Sequence, residues 1–552
     1  MKQKLGLILG CLLVSVPAVA ERYFALKYAQ NKQTHHSTLL ELNAESGAVM
    51  QEWVLGEADH RPVQKMALPA GDSMFFYAEV AKKQAQVVQV SVADRRVLPP
   101  VAIDPLNKRL QDNGLWYRFM HLSEDQTRLY LHTGHKKTQQ LTVIDVVNNR
   151  ISQQIPLNKH DHEVRLSADQ QYLIITDLKK NHLSLYSLAL GAVVFQQALG
   201  KRGHFGLIHQ HHVYLTRFDG RHRDTRNSVA DHMFGTNLLN DFSRTKYWVE
   251  VTDLTSQKQN TIALDSTYAP AYAVQPAADQ VWVLSTTDKD KTAVLTQLHG
   301  TQATELKRYD VAISPEALHY DEAFNRLLVI GGHDLALINL NDLDQLTLID
   351  RPFDVVDHVF SSDGQQLYLK EGVGSEVAVV AVDSGQILGR SGTGRPGVKV
   401  GHAMATVALA AATGSQGFGV YVAIYSNTGM ILDASENHLY VINSKTHDVT
   451  RFQAKDLSDR QALPTGRGTF LVYQSEGEDR PVWVFSQQQV NQIDNATFKP
   501  DNTIEYEALV GLDWAQDSFT IQTKDHLQVM DLKTGAVRQQ WPITPVDYLW
   551  SQ

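Results

Sequence analysis

Cysteine is almost missing from this sequence. Among 552 residues there is one, Cys11. It lies in a segment with the marks of an export signal. Lys2 and Lys4 give a basic start, Leu5 to Val16 an apolar run, and Pro17-Ala18-Val19-Ala20 a small-residue cleavage pattern. Cleavage is expected after Ala20, so that residues 1–20 are a signal peptide and Glu21 begins a chain without a thiol. A lipoprotein signal around Ile8-Leu9-Gly10-Cys11 is the rival reading, but its apolar run before the cysteine is very short. Without cysteine there is no disulfide, no cysteine nucleophile, no Cys-ligated zinc and no covalent c-type haem. An exported chain of this kind must rely on its apolar core, and its expected location is periplasmic or secreted.

Other absences narrow the function. After the signal, no run approaches the roughly 20 apolar residues of a spanning helix, so no transmembrane segment is expected. The formal net charge is -9, without the basic excess of a nucleic-acid binder. No Gly-Lys-Ser/Thr occurs, so there is no Walker loop. His162-Glu163 lacks the second histidine of HExxH, and Gly374-Ser375 and Gly414-Ser415 do not complete a nucleophile elbow. The calcium loop with acidic residues at alternate positions is also missing.

What is present is a repeat. Leu141 to Leu157, LTVIDVVNNRISQQIPL, reads as two short strands around a polar turn, with Asp145 at its mouth. Asn148-Asn149 suits the left-handed conformations of a hairpin. Comparable anchors are Asn43, Ser91, Asp145, Ser187, Asp253, Gln297, Asn339, Asp383, Asn443, Ser486 and Asp531. Six of the ten spacings between them are 42 to 45 residues, the period of four-stranded propeller blades. A front half repeats as well: Ser123-Glu124-Asp125, Ser167-Ala168-Asp169 and Ser361-Ser362-Asp363 each separate two apolar strands.

Val143-Ile144-Asp145 with its turn, and Leu439-Tyr440-Val441-Ile442-Asn443-Ser444, resemble the YVTN type of β-propeller repeat. That family is similar in outline to WD-type propellers without the Trp-Asp pair, which these anchors also lack. The resemblance covers most of residues 21–552. It implies an all-β propeller fold and leaves function open, because propellers host unrelated activities. Eleven units exceed the usual four to eight blades of one ring. The expected arrangement is therefore two propellers in tandem, residues 21–311 and 312–552, joined near Val311 to Pro315. One large propeller with irregular extra hairpins is the alternative. Two long spacings hold insertions: a polar one at 217–246, rich in Arg and His, and a small apolar one at 398–419.

Histidine is plentiful, at 23. In a propeller the first strand of each blade is innermost, and His121, His162, Arg165, His204 and His358 fall on or just before expected first strands. With Arg221 and Arg223 of the insertion, His121, His162, His204 and Arg165 form the candidate ligand-binding set. Imidazoles also ligate metals, and His209, His211 and His212 are candidate ligands for a divalent ion such as zinc. These three also fall in the expected turn between the first two strands, where solvated polar residues belong. Likewise Asp219, Asp224 and Asp231 stand ready to pair internally with the insertion's arginines.

A strong repeat scaffold without a complete catalytic motif points to an exported, non-catalytic binding or scaffold protein. Its expected partner is a protein, an anionic small molecule or a polysaccharide. A metal-binding carrier and a propeller lyase acting on an acidic polysaccharide are the alternatives. The first expectation is checked directly: N-terminal sequencing of the periplasmic or extracellular fraction should begin at Glu21. A lipid-modified Cys11 in the membrane fraction would refute it.

Overall fold

Strands of five to nine residues with alternating apolar positions cannot stand alone; they pair into sheets and the sheets stack. The computed structural model has this form. It describes residues 22–551 except 220–245, 393–428 and shorter stretches of one to seven residues, most of them between strands. Eleven sheets follow one another along the chain, ten of four strands and one of five, beside a two-stranded ribbon of Arg109–Leu110 and Trp116–Tyr117. All strand pairs described are antiparallel, and no α-helix occurs among the described residues. The fold is an all-β propeller, and the sheets are its blades.

In ten blades the spatial order of the strands follows chain order. The first blade differs. Its order is Val49–Ala58, His35–Asn43, Arg22–Gln30 and then Tyr548–Ser551, the last strand of the chain. Phe24 lies opposite Trp550 and Tyr23 opposite Ser551, so backbone pairing ties the two ends of the chain together.

The chain divides into two compact units. One comprises residues 1–159, 427–452 and 460–552; the other comprises residues 160–426 and 453–459. The first holds blades one to three and nine to eleven, the second blades four to eight. The segment Val311 to Pro315 lies inside the second unit, between the strands Gln302–Tyr309 and Pro315–Asp321. Within each unit, first strands of successive blades run beside one another: Gly203–His209, Ala271–Gln275 and Pro315–Asp321 in the second, Met430–Leu432 and Leu471–Gln474 in the first.

The core lies between blades. Phe75, Tyr77 and Val87 of the second blade pack with Leu129, Leu131 and Ile144 of the third. Leu328, Ile330 and Leu337 of the seventh pack with Leu367, Leu369 and Val380 of the eighth. Val143, Ile144, Leu439, Val441 and Val529 are all buried in the middle strands of their sheets.

Both repeated turns carry their own hydrogen bonds. In the front hairpin the Ser123 hydroxyl donates to Asp125 Oδ1 at 2.6 Å and accepts from the Arg128 N–H at 2.9 Å. Ser167 with Asp169 and Ser361 with Asp363 do the same. In the anchor hairpin, Asp145 accepts from the Asn148 N–H at 3.0 Å. Four residues beyond the anchor the backbone turns left-handed, at Asn149 (φ 48°), Gln257 (φ 58°) and Gly535 (φ 75°).

The anchors need four corrections. Asn443 and Ser486 end or follow second strands, His438–Asn443 and Val482–Phe485; the third strands of those blades end at Gln453 and Asp494. Gln297 lies within the strand Thr292–His299 rather than at its end. Asp383 stands two residues past Ala381, whose carbonyl accepts the returning Gly385 N–H. Second and third strands have the same alternating pattern, so a strand read without its partners does not reveal its place in the sheet.

Turn hydrogen bonds hold the carboxyls of Asp145, Asp253 and Asp494 below the usual range, chiefly through the side chains of Asn148, Ser256 and Thr497 respectively. A carboxyl lowered in the folded state stabilises above its unfolded pKa of about 3.9 and loses that contribution as pH falls through the folded value. A triple variant Asp145→Asn, Asp253→Asn, Asp494→Asn should therefore melt lower at pH 7. Its Tm should also fall less than the wild type's between pH 5 and 3. Parallel Tm curves would remove the turn carboxylates from the acid response.

Candidate functional site

Antiparallel pairing gives each first strand one hydrogen-bonded neighbour in its own sheet, and first strands of several successive blades run close together. Two contacts in the second unit show what this does to polar side chains. On the strand His162–Leu166, Arg165 is exposed and its guanidinium carbon lies 5.3 Å from the ring centroid of Phe205, on the strand Gly203–His209 of the next blade. Further along, His319 of Pro315–Asp321 and His358 of Val355–Phe360 lie with ring centroids 5.1 Å apart and planes at 54°.

The histidine pair sits at one end of a column of planar groups. Phe360 presents an edge-on arrangement to His358, with centroids 6.1 Å apart and planes at 81°. The Arg326 guanidinium lies 3.9 Å from the Phe360 centroid and 4.6 Å from that of Phe324, so it is held by two aromatic rings. Its Nε donates to Asp321 Oδ2 at 2.6 Å and its Nη1 to the Gly364 carbonyl at 2.8 Å. Gly364 has φ +69°, and a Cβ there would come within 2.7 Å of the Phe324 ring. That position therefore needs glycine for both conformation and space.

Burial lowers the pKa of both imidazoles. For His358 the neighbouring His319 acts in the same direction, and Asp321 opposes. His319 is exposed by surface area, yet enough protein surrounds its ring to disfavour the charged form. Directly opposite each other on the adjoining pair of strands are Asp357 and Lys370. Burial raises the Asp357 carboxyl and pushes the Lys370 ammonium down to about 8, although Asp357 and Glu371 favour its charged form.

The residues singled out in the sequence are distributed as follows. His121 lies on the first strand Met120–Leu122 of the third blade, half-buried, 6.4 Å from the ring of Phe119; burial lowers its pKa. It belongs to the first unit, whereas His162, Arg165, His204 and His358 belong to the second. His162 and His204 are on first strands, and their side chains lie outside the described residues. Arg221 and Arg223 fall in 220–245, outside the described residues, as does the insertion at 398–419. Arg217, read as part of the first insertion, instead extends the strand His212–Asp219, where its Nε donates to Glu250 Oε2 at 2.8 Å.

His209 and His212 face each other across a two-residue hairpin, with His211 in the turn. The Nδ1 of His211 is 2.9 Å from the Tyr172 hydroxyl, while the His212 ring packs at Gly300. Among the described residues no group of three or more His, Cys, Asp or Glu side chains could hold a metal ion, so these three histidines do not converge. His319 was not legible as a site residue. Its signal is positional: it precedes the turn residue Asp321 by two, as His121 precedes Ser123. The turn after Asp321 lacks the Ser-x-Asp pattern, which hid the equivalence.

No protein-family model and no curated protein matches this sequence. Among solved structures the chain is similar to dihydro-heme d1 dehydrogenase NirN in complex with DHE, at 11% identity over 78% of this chain and 76% of that one, with a TM-score of 0.35. Apo AztD from Citrobacter koseri is similar at 10% identity over 81% and 96%, TM-score 0.35. A eukaryotic initiation factor is similar at 9% identity over 96% and 98%, TM-score 0.38. The propeller assignment rests on the sheets themselves. Among the described residues no helix is long and apolar enough to cross a membrane.

The Asp321–Arg326 pair generates a test of the column. Its side chains are 15% and 8% exposed, so removing one partner strands a buried charge. Arg326→Ala should cost about 3–5 kcal/mol in urea unfolding, and Asp321→Ala/Arg326→Ala less than the sum of the single changes. Additive losses would show that the pair does not act as a unit.

Proposed function

We propose that this chain is an exported, non-catalytic β-propeller of the YVTN type that binds a ligand through side chains on its first strands. The observation that carries the reading is the approach of His319 to His358 from neighbouring blades, with Arg165 and Phe205 making a comparable contact. First strands are held in place by pairing within their own sheets, which is a rigid mounting for the side chains they carry. The YVTN-type reading is supported by the Asp-anchored hairpins, and export by the basic, apolar and small-residue order of residues 1–20. The expected ligand is an anionic small molecule, a polysaccharide or a protein segment small enough to reach these strands. One specific observation favours a second reading, a metal carrier: the two imidazoles are close enough to share an ion.

Native mass spectrometry of protein purified from the exported fraction tests the proposal. The wild type should carry a bound mass that the His319→Ala/His358→Ala variant lacks. A wild type without adduct, or steady release of unsaturated products from alginate or polygalacturonate, would overturn it in favour of a scaffold or a lyase.

A further inference from the structure

Two imidazoles that share a metal ion have a restricted separation. A metal–nitrogen bond of about 2.0–2.1 Å, with the nitrogen about 1.1 Å from the ring centre, puts the ion roughly 3.2 Å from each centroid. At a tetrahedral angle the centroids are then roughly 5.2 Å apart, and at a right angle about 4.5 Å. The His319 and His358 centroids are 5.1 Å apart. Their planes meet at 54°, so the pair is not a parallel stack. No side-chain hydrogen bond occupies either imidazole among the described residues.

We propose that His319 and His358 are the two protein ligands of an exchangeable site for a divalent transition-metal ion. This deepens the binding reading above and rests on the same pair of strands. Asp321 is held by Arg326 and Asp357 accepts from the His358 backbone N–H, and the described residues supply no third ligand group. Two protein ligands leave the remaining positions to water or to a donor from the ligand. A closed four-ligand site is structural, whereas an open one exchanges its ion or presents it to a partner. Imidazole donors suit copper, nickel and zinc and discriminate against magnesium and calcium, and affinity should be greatest for Cu2+. Behind the pair, Phe360 packs edge-on with His358, and the Arg326 guanidinium lies over the Phe360 ring.

The experiment uses the full exported chain, freed of metal by a chelator and titrated with Cu2+, Zn2+ and Mg2+ by calorimetry. Because the sequence has 23 histidines, the variants decide the site. One equivalent of Cu2+ should bind more tightly than Zn2+, and Mg2+ should give no heat. His319→Ala and His358→Ala should each weaken Cu2+ binding at least tenfold, and His211→Ala should leave it unchanged. Electron paramagnetic resonance of the Cu2+-loaded wild type should show coupling to two imidazole nitrogens, a readout that needs no variant to fold. Cu2+ binding unchanged in the folded double variant, or lost in His211→Ala instead, overturns the proposal. Absence of Cu2+ binding by the wild type, with an organic adduct still present in its native mass spectrum, would refute the metal site while leaving the binding reading intact.

Discussion

Each blade has two apolar faces, and neither can be left in water. The seventh shows the consequence. Leu327, Val329, Ala336 and Ile338 pack toward Trp282 and Leu284 of the sixth blade. The alternate residues Leu328, Ile330, Leu335 and Leu337 pack toward Leu367 and Leu369 of the eighth. Every residue of the strand Arg326–Gly331 is therefore buried, since period-two alternation sends its side chains into two different cores. The middle strands are committed mainly to packing, whereas the first strands that carry His319 and His358 are less enclosed. That division is why the candidate site lies on first strands.

The turns show how local chemistry adapts to that frame. In the third, fourth and eighth blades a serine hydroxyl closes the front hairpin by accepting from an N–H five residues on. In the seventh, Asp321 occupies that place and Arg326 stands opposite it. The ninth follows the same rule with a different donor: Asp433 accepts from the His438 N–H at 3.1 Å and contacts His438 Nδ1 at 3.0 Å. A carboxylate in a buried turn requires a donor beside it, and residue 326 or 438 supplies one. In the seventh blade the donor is long enough to reach the next sheet, where it enters the space between Phe324 and Phe360. The charged turn thus becomes a brace beside the histidine pair.

The sequence by itself determined the repeat, its four-strand content, the Ser-x-Asp front turns and most of the anchor hairpins. Those features are set by neighbours within a few residues: alternation fixes which side chains share a face, and short polar side chains cap nearby backbone groups. It also placed His121, His162, Arg165, His204 and His358 on first strands, for the same reason. Tertiary structure decided the rest. That Asn443 and Ser486 follow second strands depends on which strands pair with them. That the last strand, Tyr548–Ser551, completes the first sheet depends on residues more than 500 positions away. His319 meets His358 only because two blades bring their first strands together across 39 residues of chain (358 minus 319). No local rule encodes that distance, since it is set by the packing of one sheet face on the next.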